Sequence, residues 1–160
     1  MEMTGVFWGA FDPVTKAHLR IITVCLEQLT LNQLIIVINN HSYKKYKFSL
    51  EDRMEKMRQG LSLKEQRKIL LRFQDDSQKM DYKALVKITK KPICAIAGYD
   101  AYRSWKALSN PEDRALYQKI IVIPRGDENP ILFDQNAEIL SIEDCYKYVS
   151  STNPNTPHTL

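Results

Sequence analysis

One segment near the N-terminus, Gly9-Ala10-Phe11-Asp12-Pro13-Val14-Thr15-Lys16-Ala17-His18, combines residue types suited to chemistry on an anion. Gly9 lets a ligand come close to the main chain because it carries no side chain. Thr15 and His18 stand three apart across an expected helix start, so their side chains share one side of it. A helix start also offers unpaired N–H groups and the positive end of the helix dipole, both attractive to phosphate. The loop is not a P-loop, which needs GxxxxGK[ST], nor a dinucleotide fingerprint, which needs GxGxxG. Taken alone, these residues indicate a phosphate site. The plainer alternative is a strand-to-helix turn with His18 packed or solvated.

Other groups are less specific. Lys44, Lys45 and Lys47 read either as phosphate-neutralising cations or as a solvated basic loop. Asp75 and Asp76 read as a polar loop rather than a metal site. Cys25, Cys94 and Cys145 form no CxxC pair, and His18, His41 and His158 are far apart, so neither a disulfide framework nor a Cys/His zinc site is expected. No metal ligands are assigned. Cys25 falls in the apolar series Ile21, Ile22, Cys25, Leu26, Leu29 and reads as a buried small hydrophobe. Free thiols fit a reducing, cytoplasmic setting.

The elements that must hold these residues follow from periodicity. Apolar runs at 4–11, 33–39, 68–73, 93–97 and 120–123 read as strands. Helical patterns follow at 17–29, at 50–60 behind a Ser49/Asp52 cap signature, at 81–89 and at 100–108. Pro111 opens a further short helix, and Ser141 with Asp144 opens one reaching Val149. Arg53, Glu55 and Lys56 read as an exposed helical face. Strands that are apolar throughout, each separated by a helix, give a parallel sheet covered on both sides. The expected fold is α/β: a Rossmann-like doubly wound sheet of about five parallel strands with helices on both faces. Ligands in such folds sit beyond the carboxyl ends of the strands, at the switch point.

The 160 residues fit one domain by the usual ~100–200 residues per domain, taken as 1–149 with a tail at 150–160. With 44% hydrophobic and 26% charged residues the chain is ordinary for a globular protein, which excludes wholesale disorder. No apolar run approaches the ~18 residues of a membrane span, and Met1-Glu2-Met3-Thr4 lacks a secretory signature. A net charge of +4 is too small to imply nucleic acid but suits an anionic small molecule. A homo-oligomer is compatible with this reading.

The first segment also resembles the G-x-F-D-P-x-[HT]-x-G-H signature of the nucleotidyltransferase superfamily. The likeness continues in order along the chain. Asn39-Asn40-His41-Ser42-Tyr43-Lys44-Lys45 and Phe48-Ser49-Leu50-Glu51-Asp52-Arg53 are similar to that family's basic loop and following helix. Gly98-Tyr99-Asp100, Trp105 and Ile121-Val122-Ile123-Pro124-Arg125 resemble the pattern of nicotinate/nicotinamide mononucleotide adenylyltransferases, and Val149-Ser150-Ser151-Thr152 resembles their I-S-S-T end. Three features depart from that pattern. Thr15 stands for the first histidine, as in phosphopantetheine adenylyltransferase. Ala17 stands for glycine. No arginine follows Thr152 closely.

The resemblance implies transfer of AMP from ATP, with Mg2+, to nicotinate or nicotinamide mononucleotide, releasing pyrophosphate in NAD biosynthesis. It implies catalytic roles for His18, Thr15, Lys44 and Lys45. Nucleotide binding falls to Gly9, Ala10, Phe11, Asp12, Gly98, Asp100, Arg125, Ser150, Ser151 and Thr152. Asn40, Tyr43 and Trp105 would bind the acceptor. Each has a plainer role available: Asp12 as a turn residue, Asp100 as a helix N-cap, Trp105 as core, Arg125 as surface, Ser150 and Ser151 as a helix end. The alternatives are phosphopantetheine as acceptor, in CoA biosynthesis, or a non-catalytic nucleotide-binding paralogue.

Overall fold

The computed structural model describes residues 2–142. The chain runs β1 (Met3–Gly9), α1 (Lys16–Gln28), β2 (Leu31–Asn39), α2 (Leu50–Gly60), α3 (Leu63–Gln66), β3 (Ile69–Gln74) and α4 (Tyr82–Leu85). It continues through β4 (Ile93–Gly98), α5 (Tyr99–Leu108), α6 (Pro111–Ala115), β5 (Lys119–Ile123) and β6 (Ala137–Ile139). All strand pairs are parallel, in the order β3-β2-β1-β4-β5-β6. The order reverses between β1 and β4, which makes the carboxyl ends of those two strands the switch point.

β2 shows why the sheet is covered on both sides. Its side chains alternate between faces. Leu34, Ile36 and Ile38 meet Ile21, Ile22 and Cys25 of α1 and Met57 of α2. Ile35 and Val37 pack with Leu85, Tyr102 and Tyr117 on the other face. Burying each such aliphatic side chain contributes about 1.5–3 kcal/mol. Ser49 accepts from Asp52 N at 3.1 Å and starts α2 as its sequence indicated.

The doubly wound parallel sheet with helices on both faces is therefore present, with several local corrections. A sixth strand, β6, joins the edge. Its three residues are short and largely exposed, so no apolar run announces it. α4 keeps only residues 82–85 of the expected 81–89. α5 starts at Tyr99 with Gly98 as N-cap, so Asp100 lies in the first turn and is not the cap. Arg53 is 1% exposed rather than solvated. Its neighbours on the same face, Leu50, Met54 and Met57, all pack against the core.

Cys25 and Cys94 are buried, and burial pushes both thiols up to about 12. Among the described residues no three His, Cys, Asp or Glu side chains gather to hold a metal ion. No described helix is long and apolar enough to cross a membrane. The expected helix at 141–149, Cys145, His158 and the Ser150-Ser151-Thr152 segment lie outside the described residues, apart from the first two positions of that helix, Ser141 and Ile142, which are coil.

Candidate active site

The entry to α1 is a reciprocal cap. Thr15 is the N-cap, and its hydroxyl accepts from His18 N at 3.3 Å while His18 Nδ1 accepts from Thr15 N at 3.0 Å. A main-chain N–H can only donate, so Nδ1 is unprotonated and the ring proton sits on Nε2. Phe11 fixes the ring from the side, edge-on at 4.9 Å between centroids, and is itself packed edge-on against Phe7 at 5.3 Å. Phe11 holds a positive φ of 49°. A Cβ at position 9 would lie 3.0 Å from the Phe11 ring, so glycine there is what lets Phe11 tuck under His18. Burial, helped by the charge of Arg125, lowers His18 to about 4. At neutral pH it is a neutral imidazole presenting one N–H.

Around it lies a cavity of about 210 Å³ lined by Gly9, Ala10, His18, Gly98, Asp100 and Arg125. The first turns of α1 and α5 open onto this switch point from adjacent strands, and α5 carries no side-chain cap on its N-terminal N–H groups. Arg125 leaves the end of β5, and its main-chain N–H donates to Glu128 at 2.6 Å, which shapes the turn. Asp100 pairs with Arg103 on the rim. A neutral N–H donor, a guanidinium and two helix starts suit a phosphate chain.

The basic loop after β2 stands beside this cavity rather than in it. Asn40, Lys44 and Tyr46 line a separate cavity with Asp75 and Asp76. Lys44 Nζ lies 5.7 Å over the Tyr46 ring, and exposed Tyr43 stacks on His41 at 5.2 Å. Lys45 is exposed on the same loop. Two residues fasten this loop. Asp12 accepts from Lys47 N at 2.6 Å and Phe48 N at 2.9 Å. Arg53 donates to the carbonyls of Ala10, Asn39, Phe48 and Ser49 and to Asn40 Oδ1, at 2.6–3.3 Å, and stacks on Tyr46 at 4.1 Å.

The structure thus gathers His18, Gly9, Ala10, Phe11, Gly98, Asp100 and Arg125 at one cavity. It turns Asp12 to fastening a loop, buries Thr15 beneath His18, and leaves Lys44, Lys45, Asn40 and Tyr43 outside. Arg53 was missed. Its signal was present, because it falls on the same helical stripe as Leu50 and Met57.

Trp105 belongs to a second cleft of about 380 Å³ that shares Trp8 and Ala101 with the first. Its walls are three rings. Trp8 and Trp105 are 6.4 Å apart, Trp105 and Tyr117 5.3 Å, and Trp8 and Tyr117 6.2 Å. Met80 and Ala97 complete a largely apolar cleft whose ring walls suit contact with a planar group. Trp8 and Tyr117 were not singled out in the sequence, because each reads as ordinary core.

Three comparisons bear on this arrangement. The sequence model of the cytidylyltransferase-like family matches residues 6–153. Similar curated proteins are phosphopantetheine adenylyltransferases. That of Paenarthrobacter aurescens is 39% identical over 54 residues, 34% of this chain and 31% of the relative. That of Christiangramia forsetii is 46% identical over 50 residues, 31% of this chain and 32% of the relative. The chain therefore matches about a third of the length of these relatives. Among solved structures, the nicotinic acid mononucleotide adenylyltransferase of Plasmodium falciparum complexed with NaAD superposes with a TM-score of 0.70 at 18% identity, covering 95% of this chain and 82% of that one. The same enzyme complexed with APC gives 0.70 at 17% identity, covering 95% and 81%. At that identity the likeness is one of fold.

Proposed function

The chain belongs to the cytidylyltransferase-like family, and from that premise we propose that it is an adenylyltransferase joining the AMP part of ATP to nicotinate or nicotinamide mononucleotide with release of pyrophosphate. The observation that carries this reading is the aromatic cleft, Trp8, Trp105 and Tyr117, opening beside the His18–Arg125 phosphate cavity. A mononucleotide acceptor has a planar ring at one end and a phosphate at the other, and the two cavities share a wall.

The acceptor phosphate is already an anion and attacks the α-phosphorus without a general base, so the site has to align and neutralise. His18 donates its Nε2–H to a non-bridging phosphoryl oxygen. Being neutral, it stays fixed in that role across the physiological range. Arg125 and the first turns of α1 and α5 offset the charge that builds between attacking and leaving oxygens. Thr15 acts through His18, by holding Nδ1 so that Nε2–H faces the cavity. Lys44 and Lys45 stand outside this cavity, on the loop fastened by Asp12 and Arg53, and add positive charge beside it rather than within it. Mg2+ arrives with the nucleotide as Mg·ATP. Ser150, Ser151 and Thr152, which lie outside the described residues, are the remaining residues that the resemblance assigns to the nucleotide.

Phosphopantetheine is the second reading. Thr15 and the Lys44–Glu51 stretch favour it, as do the curated relatives. An acyclic pantetheine arm gains less from three ring walls. Pyrophosphate release from Mg·ATP, measured in parallel with nicotinate mononucleotide, nicotinamide mononucleotide and phosphopantetheine, separates the two. Turnover with a pyridine mononucleotide alone supports the proposal, and turnover with phosphopantetheine alone replaces it. ATP binding without turnover on any acceptor replaces it with a binding-only paralogue, the reading favoured by Ala17 and by the sequence after Thr152.

A further inference from the structure

The polar floor of the aromatic cleft is wired in one direction. Asn39 and Gln74 are register partners at the ends of β2 and β3, and both side chains line the cleft. Met80 N donates to Gln74 Oε1 at 3.1 Å. A main-chain N–H can only donate, so the Gln74 atom facing it is the oxygen, and its NH2 lies on the other side. That NH2 donates to Asn39 at 2.7 Å, so the Asn39 atom facing it is Oδ1. The Asn39 NH2 is thereby left unspent, together with one N–H of Gln74. The Met80 carbonyl accepts from Trp8 Nε1 at 3.1 Å, which ties this relay to the ring wall. Lys79, next in the chain, is an exposed residue on the rim of the same lining. The carboxylate of Asp81, also on the lining, is turned to the first turn of α4, where it accepts from Ala84 N at 3.0 Å.

Besides the Asp81 carboxylate and the Ser104 hydroxyl, which also line the cleft, the floor offers the unspent N–H groups of Asn39 and Gln74 and the positive charge of Lys79. We infer that the cleft selects an acceptor whose planar ring carries a carboxylate over one carrying a carboxamide, and therefore nicotinate mononucleotide over nicotinamide mononucleotide, with Asn39 and Lys79 as the specificity-determining residues. The inference rests on the reading of the cleft as the ring site of the acceptor. A carboxylate brings two accepting oxygens and no hydrogen. A carboxamide brings one accepting oxygen and an NH2 that would face donors, leaving buried polar groups unpaired.

The test is the ratio of kcat/KM for the two mononucleotides, measured in wild type, Asn39→Asp and Lys79→Met. Both acceptors meet the same enzyme sample, so the ratio does not depend on what fraction of a variant is folded. The wild type should favour nicotinate by about tenfold or more, the scale expected for leaving one polar group unpaired. Asn39→Asp, which replaces the free NH2 with an anionic oxygen at equal size, should erase or reverse the preference. Lys79→Met should reduce it by about threefold, the scale of a weak exposed charge pair. A wild-type ratio near one, or a nicotinate preference that survives Asn39→Asp, overturns the inference while turnover of both mononucleotides leaves the proposed function standing. No turnover of either overturns both.

Discussion

The His18–Arg125 cavity and the aromatic cleft share Trp8 and Ala101, yet they are assembled by different means. At the phosphate end a few polar groups are each fixed by main chain: His18 by the Thr15 cap, the turn after β5 by Glu128, and the neighbouring basic loop by Asp12 and Arg53. In the cleft the walls are ring edges in apolar contact, and the polar atoms form one short relay from Met80 through Gln74 to Asn39. Charge is thus managed by rigid backbone, where a small displacement would be costly, and shape is managed by side chains. Losses at the first region should appear in turnover, and losses at the second in acceptor binding and choice.

The largest effect is expected from His18→Ala, which removes the proposed donor to the transferring phosphate. Steady-state kinetics should show kcat lower by roughly 10²–10³-fold, the scale of losing one preorganised donor. Unchanged turnover would remove His18 from the chemistry. Next is Arg53→Met. It strips a donor from four carbonyls and from the Asn40 side chain and should cost about 3 kcal/mol of stability, visible in chemical denaturation. Trp105→Ala should raise the acceptor KM about tenfold and leave the ATP KM within about twofold, on the scale of one ring contact plus its lost burial. Equal effects on both substrates would dissolve the distinction between the two regions. Thr15→Val should cost about 1 kcal/mol through loss of the helix cap.

A further effect is one of pH. His18 is held near 4 in the folded chain against 6.5 in the unfolded one, so folding disfavours its protonation. Its contribution to stability is complete above pH 6.5 and declines as the pH falls towards 4, because the unfolded state then takes up the proton first. Melting curves of wild type and His18→Gln should converge over that window. Turnover should show no inflection near 6.5 assignable to His18.

How far the sequence foretold these regions follows their construction. The capped loop before α1 was legible because its geometry is local: Gly9, Thr15 and His18 lie within one turn and one cap, where spacing fixes geometry. The first five strands in chain order were legible because apolar runs such as Gln33-Leu34-Ile35-Ile36-Val37-Ile38-Asn39 have no other burial available. β6 was not, since an edge strand of three largely exposed residues needs no apolar pattern. Arg53 was misread because charge on a helix usually means solvent, and only the folded chain brings five acceptors around it. The cleft was half legible. Trp105 stood out, but Trp8 is in a buried strand and Tyr117 comes from a turn after α6, and sheet packing alone joins them.

The central claim is that a planar acceptor ring lies against the cleft wall formed by Trp8 and Trp105. These are the two tryptophans of the chain, so intrinsic tryptophan fluorescence reports on this cleft. Titrating the protein with nicotinate mononucleotide should give saturable quenching that Trp105→Ala weakens, while phosphopantetheine should leave the emission nearly unchanged. Saturable quenching by phosphopantetheine, with no response to either pyridine mononucleotide, would contradict the account.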